Sequence, residues 1–123
     1  MYTVAHIGVV VKDTDKSLDF YTNVLGCKPE ESYRDERIRL EFIKAGQQTI
    51  ELIQYNQDTV SARGAGIVDH IAFLVADLDA ELVKLRQQQV KLLFDQPKVV
   101  GDKKIMFFTG PDGERLELVQ KLS

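Results

Sequence analysis

The sequence predicts an α+β fold of two tandem βαβββ modules, and three features of the chain support this prediction. Two similar stretches, AHIGVVV from Ala5 and DHIAFLV from Asp69, contain the only two histidines of the chain. Each is followed by helix-capping residues and an amphipathic helical pattern. Each module then closes on a β-like run with a central glutamate, TIELIQ or RLELVQ. An internal repeat of this kind determines the architecture before any single motif does.

The repeat also predicts the domain organisation. A chain of 123 residues suffices for one compact domain, and its 44% hydrophobic and 28% charged residues are typical of globular proteins. We expect a single domain with module 1 at residues 1–56, a linker at 57–66 and module 2 at 67–123. The linker is polar and contains Ser61, Gly64 and Gly66, a composition typical of flexible connections.

Composition excludes several classes of protein. The net charge is −3 and no basic stripe is present, so we expect no nucleic-acid partner. No apolar run approaches the roughly 18 residues needed to cross a bilayer, and the N-terminus lacks the pattern of a secretory signal. The single cysteine, Cys27, has no partner for an internal disulfide, which suits a reducing compartment. We therefore expect a cytoplasmic protein without membrane contact.

Apolar and polar residues alternate in the predicted strands of module 1. Between the first two strands, the apolar residues recur at helical spacing. Polar residues at 13–15 predict a helix start, and Gly26 predicts its end. Pro29 makes the strand after this helix irregular. The predicted strands are Thr3–Val11, Cys27–Tyr33, Arg37–Lys44 and Thr49–Tyr55.

Module 2 repeats this order. Asp77 or Asp79 is expected to cap a helix that contains Leu78, Leu82 and Leu85. The sequence GPDG at 110–113 is a strong turn signal before the closing strand. The predicted strands are Asp69–Ala76, Val90–Phe94, Lys103–Thr109 and Arg115–Val119.

Strand alternation places four polar side chains on the sheet faces that point away from the helices, namely His6, Glu51, His70 and Glu117. His70 follows His6 by 64 residues and Glu117 follows Glu51 by 66 residues, so the two pairs are equivalent in the repeat. Two imidazoles and two carboxylates suit a divalent cation such as Zn²⁺, Ni²⁺, Co²⁺ or Mn²⁺. The alternative is that each is a solvent-exposed polar residue, although glutamate is depleted in strands.

The chain resembles the vicinal oxygen chelate superfamily, which includes glyoxalase I, methylmalonyl-CoA epimerase, fosfomycin-modifying enzymes, extradiol dioxygenases and bleomycin-binding proteins. The resemblance extends over nearly the whole chain through AHIGVVVKDTDKSLDFYTNVLG, QTIELIQ, DHIAFLVADLDA and FFTGPDGERLELVQ. It implies that the paired modules form a cupped mixed sheet around a metal ion. It also implies that the ligands of glyoxalase I correspond to His6, Glu51, His70 and Glu117.

The similarity to lactoylglutathione lyase implies a metal-dependent lyase or isomerase that acts on a small α-oxo hemithioacetal. Its proton transfer would pass through a metal-bound enediolate, with Glu51 or Glu117 as both ligand and base. A low-molecular-weight thiol would be the cosubstrate. Two alternatives remain open: an enzyme similar to methylmalonyl-CoA epimerase, and a non-catalytic protein that binds a small molecule such as an antibiotic.

Glu41 is a further catalytic candidate, because a hairpin at 45–48 is expected to place it opposite Glu51 on the same face. Arg37 and Arg39 share the face of Glu41 and are candidates for holding a substrate carboxylate or phosphate. Lys103 is a similar candidate near the last hairpin. Phe107 occupies the position of Glu41 in the second repeat and is expected to form an apolar wall. The open edges of such half-barrels predict a homodimer.

Overall fold

The computed structural model describes residues 4–56, 68 and 70–123, and it confirms the α+β fold. The chain divides into two compact units, Met1–Ala62 and Arg63–Ser123, and the described residues of each form one four-stranded mixed sheet and one helical segment. The predicted linker at 57–66 lies outside the described residues. The module boundaries therefore stay predictions.

Module 1 has the predicted order of elements. Three of its strands lie within one residue of the predicted bounds, whereas the first strand begins at Ile7 and is shorter than predicted. The elements are β1 (Ile7–Val10), α1 (Thr14–Asp19) with a π-helical continuation (Phe20–Val24), β2 (Lys28–Arg34), β3 (Ile38–Ala45) and β4 (Gln48–Tyr55). Strand β1 is parallel to β4, and the other neighbours are antiparallel in the order β1-β4-β3-β2.

The first helix begins and ends at the residues that the sequence indicates. The Asp13 side chain accepts a hydrogen bond from the Lys16 amide at 3.2 Å, which caps the first turn. Gly26 ends the helical segment with a φ of +74°, a conformation that glycine adopts without steric cost. The continuation at Phe20–Val24 widens the last turn into a π-helix.

Module 2 contains the elements β5 (Ile71–Leu74), α2 (Leu78–Gln87), β6 (Lys98–Val100), β7 (Lys103–Thr109) and β8 (Arg115–Lys121). It repeats the topology in the order β5-β8-β7-β6, again with one parallel pair, β5 and β8. Asp77 is the cap of its helix and accepts a hydrogen bond from the Ala80 amide at 3.2 Å. The third and closing strands lie at the predicted positions.

The predicted strand at Val90–Phe94 is wrong. Within that stretch only Leu92 forms a bridge, to Phe108, and the strand that pairs with β7 is Lys98–Val100. Pro97 has no amide hydrogen to donate to a sheet, so regular pairing begins just after it. The stretch before Pro97 is a loop.

A pair of equivalent glutamines attaches each helix to its sheet. The Gln54 side chain on β4 accepts a hydrogen bond from the Thr14 amide at 2.8 Å. The Gln120 side chain on β8 accepts one from the Leu78 amide at 2.7 Å. These bonds satisfy amides that the first turn of a helix leaves unpaired. They also identify which face of each sheet carries the helix.

The buried hydrophobic side chains of each module lie on that helix-facing side. Tyr21, Ile43, Ile50 and Leu52 are at most 1% exposed in module 1. Module 2 buries Leu78, Leu82, Leu85, Met106, Phe108, Leu116 and Leu118. The opposite face of each sheet remains available for other side chains. Among the described residues, no helix has the length and apolar character required to cross a membrane.

Candidate metal centre

The first His–Glu pair lies on the face of the module 1 sheet that points away from α1. Glu51 in β4 is opposite Gly8 in β1 and Phe42 in β3. His6 directly precedes β1, and its Nε2 lies 3.7 Å from Glu51 Oε1. The imidazole also contacts the Phe42 ring edge-on, with 5.9 Å between ring centroids. The side chain of Glu51 is 14% exposed and that of His6 is 45% exposed.

The second pair has the same arrangement in module 2. Glu117 in β8 is opposite Ala72 in β5 and Phe107 in β7. His70 Nε2 lies 3.0 Å from Glu117 Oε1, and its ring meets Phe107 edge-on at 5.0 Å between centroids. The carboxylate is again the more buried partner. Each module therefore presents one imidazole nitrogen beside one carboxylate oxygen.

The distances within both pairs fit two ligands of one cation. Zn²⁺ binds such donors at about 2.1 Å, which sets neighbouring donors about 3.0 Å apart in octahedral and about 3.4 Å apart in tetrahedral geometry. The observed separations of 3.0 Å and 3.7 Å lie around these values. Small rotations of the side chains would adapt either pair to a metal. Within the described part of each module, no group of three or more potential ligands is present.

The two pairs differ in the residue opposite the glutamate. A methyl group at Gly8 would lie 3.5 Å from Glu51 Oε1 and 3.0 Å from Ile53 Cδ1. The equivalent residue in module 2, Ala72, carries that methyl group opposite Glu117. Glu51 therefore has a smaller neighbour than Glu117.

The expected position of Glu41 is wrong. Phe42 lies opposite Glu51, whereas Glu41 lies opposite Leu52 on the helix-facing side. Glu41 is 8% exposed, and both carboxylate oxygens have partners. Ser32 Oγ donates a hydrogen bond at 2.5 Å and Arg39 Nε donates one at 3.3 Å. Glu41 is therefore a buried structural carboxylate in this module and lies on the opposite face from Glu51.

Arg39 also lies on the helix-facing side, away from the His–Glu pair. Its Nη1 is 2.8 Å from Asp15 Oδ1 on α1. Burial acts to lower the pKa of Arg39, but the hydrogen bonds and charges of Asp15 and Glu41 outweigh it and raise that pKa. Arg37 is an exposed residue in the turn before β3. Neither arginine lies beside Glu51.

Phe107 and Lys103 lie on the face that carries Glu117, as strand alternation requires. Phe107 contacts His70, so its expected role as an apolar wall stays a proposal that the geometry supports. The structural equivalent of Phe107 is Phe42, and the expected equivalence with Glu41 is wrong. Lys103 begins β7, and its Nζ lies 3.2 Å from Asp102 Oδ1.

Sequence reasoning missed Phe42 as a neighbour of the first pair and Phe94 as a neighbour of Phe107. Counting from the hairpin gives Phe42 only when the exact position of the turn is known. A two-residue turn at Gly46 pairs Ala45 with Gln48 and, three residues further along each strand, Phe42 with Glu51. Phe94 belongs to a loop, and strand periodicity contains no signal for its position.

The fold and the two equivalent His–Glu pairs define a protein of paired βαβββ modules. Residues 3–118 match the family model of the Glyoxalase/Bleomycin resistance protein/Dioxygenase superfamily. The chain belongs to this superfamily, as the resemblance implied.

Three comparisons describe its neighbours within the superfamily. The chain is 32% identical to the lactoylglutathione lyase of Neisseria meningitidis, over 96% of this chain and 90% of that protein. It is 31% identical to the metallothiol transferase FosB of Staphylococcus epidermidis, over 94% and 80% of the two chains. The structure of the trypanothione-dependent glyoxalase I of Leishmania major matches with a TM-score of 0.82 and 26% identity, over 98% and 87%.

Proposed function

We propose that this protein is a metal-dependent lyase or isomerase of the glyoxalase I type, acting on a small α-oxo hemithioacetal. The observation that carries the proposal is the His–Glu pair on the open face of each module, with donor separations of 3.7 Å and 3.0 Å. The similarity to a lactoylglutathione lyase over nearly the full chain supports the same reaction class. The metal would be Zn²⁺, Ni²⁺, Co²⁺ or Mn²⁺, and a low-molecular-weight thiol would be the cosubstrate.

The proposed ligands are His6, Glu51, His70 and Glu117. A bound divalent cation supplies Lewis-acid polarisation of two neighbouring substrate oxygens. The Nε2 atoms of the two imidazoles would be the ligand atoms for the cation. The edge-on contacts with Phe42 and Phe107 restrict the orientation of these rings.

One of the two glutamates would also transfer the proton. Its carboxylate takes the proton from the carbon beside the substrate carbonyl and returns it to the neighbouring carbon. Glu51 and Glu117 are mostly buried, so bulk water has little access to the oxygens that would carry this proton.

Metal binding provides the first test. We expect one divalent ion per chain in protein purified without chelator or tag-derived metal. Because all four ligands would share that ion, His6→Ala, Glu51→Gln, His70→Ala and Glu117→Gln should each reduce metal affinity at least tenfold. Glu41→Gln is the matched control, since Glu41 lies on the other face, and it should keep the metal. Loss of His6 that leaves metal affinity unchanged would contradict a shared site.

Turnover provides the second test. The metal-loaded protein should isomerise the hemithioacetal of methylglyoxal, with exchange of the proton next to the carbonyl. Glu51→Gln and Glu117→Gln distinguish the base from a residue that only binds the metal. A Glu51→Gln variant with full activity would remove that residue from the mechanism.

The two alternatives predict different results. An epimerase would exchange the α-proton of methylmalonyl-CoA, but the base expected for it, Glu41, lies on the wrong face. Glu31 in β2 lies opposite Phe42 and so places a carboxylate on the face of Glu51. A non-catalytic binding protein would bind a small molecule and turn over neither compound.

We further propose a cytoplasmic homodimer. The single cysteine is buried, and burial raises the pKa of its thiol, which keeps Cys27 in its unreactive protonated form. This is compatible with a reducing compartment.

A further inference from the structure

We infer that module 1 contains a subsite for an alkylammonium group, formed by Glu31, Tyr33 and Phe42 on the open face of its sheet. The inference rests on the proposed function and specifies its substrate class: a hemithioacetal that carries a positive charge remote from its chelating oxygens. Glu31 lies opposite Phe42, which lies opposite Glu51, so the three side chains form one row across the sheet. Tyr33 follows two residues after Glu31 and therefore points to the same face.

The residue between Glu31 and Tyr33 identifies the face on which both lie. Ser32 donates a hydrogen bond to Glu41 on the helix-facing side. Because side chains alternate along a strand, the two neighbours of Ser32 lie on the open face. Glu31 is exposed and Phe42 is half-buried, so a ligand on that face can reach both.

The Glu31 carboxylate has no ion-pair partner within the described part of module 1. The β-bulge between Pro29 and Glu31 adds Glu30 to the strand. Glu30 Oε2 lies 3.7 Å from Lys44 Nζ, so the added residue pairs with the lysine that shares the face of Phe42. An exposed carboxylate beside an aromatic ring, without a cation of its own, is suited to an external ammonium group.

The Tyr33 ring is 51% exposed, yet hydrogen bonds hold it in place. Its hydroxyl donates to Asp35 Oδ2 at 2.9 Å. Asp35 is fixed in turn, since its Oδ1 accepts from the Arg37 amide at 2.8 Å and the Ile38 amide at 3.0 Å. The Arg37 amide and then the Tyr33 hydroxyl lower the pKa of Asp35, which keeps this acceptor ionised. A phenol that donates to a carboxylate has a more electron-rich ring, which attracts a cation more strongly.

Module 2 shows which group fits at the equivalent place. Lys98 has the register position in β6 that Tyr33 has in β2. Its Nζ lies 4.2 Å from the centroid of the Phe94 ring, and Phe94 contacts Phe107, the equivalent of Phe42. Module 2 therefore places an ammonium group of its own beside this row of rings. Module 1 has a tyrosine at that position and a carboxylate next to it, so a ligand would supply the ammonium group.

The sheet also sets the distance between the ammonium group and the metal ligand. Glu31 and Glu51 lie in the same row, two strands apart, which corresponds to about 10 Å between their backbone positions. A substrate whose chelating oxygens lie at Glu51 and whose chain crosses the Phe42 ring would place its cation beside Glu31. An alkyl chain of about six carbons, with bonds of about 1.5 Å, extends over that distance.

Equilibrium binding tests the inference without turnover. Hydroxamates chelate a divalent cation through two neighbouring oxygens, as the proposed substrate would. The metal-loaded protein should bind 6-aminohexanohydroxamate about tenfold more tightly than hexanohydroxamate, because only the former carries an ammonium group. Glu31→Gln should reduce this preference to about twofold, and Tyr33→Leu should reduce it to about threefold. Glu30→Gln is the matched control, since it removes the neighbouring charge that pairs with Lys44, and it should keep the preference.

The outcomes separate the two proposals. Equal affinity of wild type for both hydroxamates, or a preference that Glu31→Gln leaves unchanged, overturns the inference alone. An equal loss in Glu31→Gln and Glu30→Gln would show a general effect of charge and would overturn it as well. A preference that depends on Glu31, in a protein that isomerises no hemithioacetal, would contradict the proposed function and support the subsite. A metal-loaded protein that binds neither hydroxamate would overturn both, because the subsite rests on a chelated substrate.

Discussion

Glu41 is a charged residue at a position where module 2 has an apolar one. Met106 occupies the equivalent place, opposite Leu118, and is fully buried. A buried carboxylate is costly unless its oxygens are hydrogen-bonded, and Ser32 and Arg39 provide those bonds. At this position module 1 is therefore stabilised by hydrogen bonds to a buried carboxylate, whereas module 2 is stabilised by hydrophobic packing.

This difference predicts the effect of removing the arginine. Arg39→Ala should lower the free energy of unfolding by about 2 kcal/mol, because it leaves a buried carboxylate without its cationic partner. Arg37 is an exposed arginine two residues earlier, so Arg37→Ala should change the free energy of unfolding by less than about 0.5 kcal/mol. Urea denaturation measures both.

Measuring the same substitution in a protein without the Glu41 carboxylate shows whether its cost arises from that charge. In a Glu41→Met protein, designed on Met106, Arg39→Ala should cost much less because no buried charge remains. An equal cost in both backgrounds would show that Arg39 stabilises the fold independently of Glu41.

The same residue shows what the sequence could predict about the site. The repeat identified both His–Glu pairs, because equivalent residues in two copies are visible without coordinates. It could not identify the face of Glu41, because a shift of one residue in strand register reverses every side chain. That register depends on the turn, and the turn was located only to within four residues.

At the scale of single elements, the end of α2 differs from the end of the first helical segment. Gln89 has a φ of +59°, in the left-handed region where Gly26 ends the first helix. The Val90 amide then donates to the Leu85 carbonyl at 3.0 Å, which closes the turn. A glutamine pays a steric cost in this conformation that glycine does not.

We therefore predict that Gln89→Gly stabilises the protein by about 0.5–1 kcal/mol. Gln88→Gly is the matched control, since Gln88 has a φ of −86° and gains nothing from glycine. It should be neutral or destabilising. Thermal and urea denaturation of both variants measure the difference, and equal effects would contradict a role for the left-handed conformation.

The elements were predicted with different success for physical reasons. Strands β3, β4, β7 and β8 alternate over seven or eight residues and lie within two residues of their predicted bounds. Strand β6 has only three residues, which is too few for an alternation of apolar and polar side chains to be recognised. The apolar residues of the preceding loop were therefore interpreted as the strand. The spacing of the apolar residues in the first helix does not indicate the π-helical turn at Phe20–Val24.

At the scale of the whole molecule, each four-stranded sheet ends in two edge strands. These are β1 and β2 in one sheet and β5 and β6 in the other. On β6, Val99 is 64% exposed and Val100 is 59% exposed. Exposed apolar edges favour association with another chain.

We predict that light scattering will give about twice the 14.0 kDa mass of one chain, as a homodimer requires. A dilution series should show the dimer at micromolar concentration. A single-chain mass at every concentration would contradict the prediction and would require each active unit to be complete within one chain.

The absence of a methyl group at Gly8 has a consequence for the roles of the glutamates in the two modules. After duplication both carboxylates kept the same place, yet only Glu117 is confined by an alanine on the adjacent strand. A carboxylate that faces a glycine lacks the methyl contact of one that faces an alanine, so its side chain is less restricted. Under the proposed function, we therefore expect Glu51 to transfer the proton and Glu117 to serve only as a metal ligand.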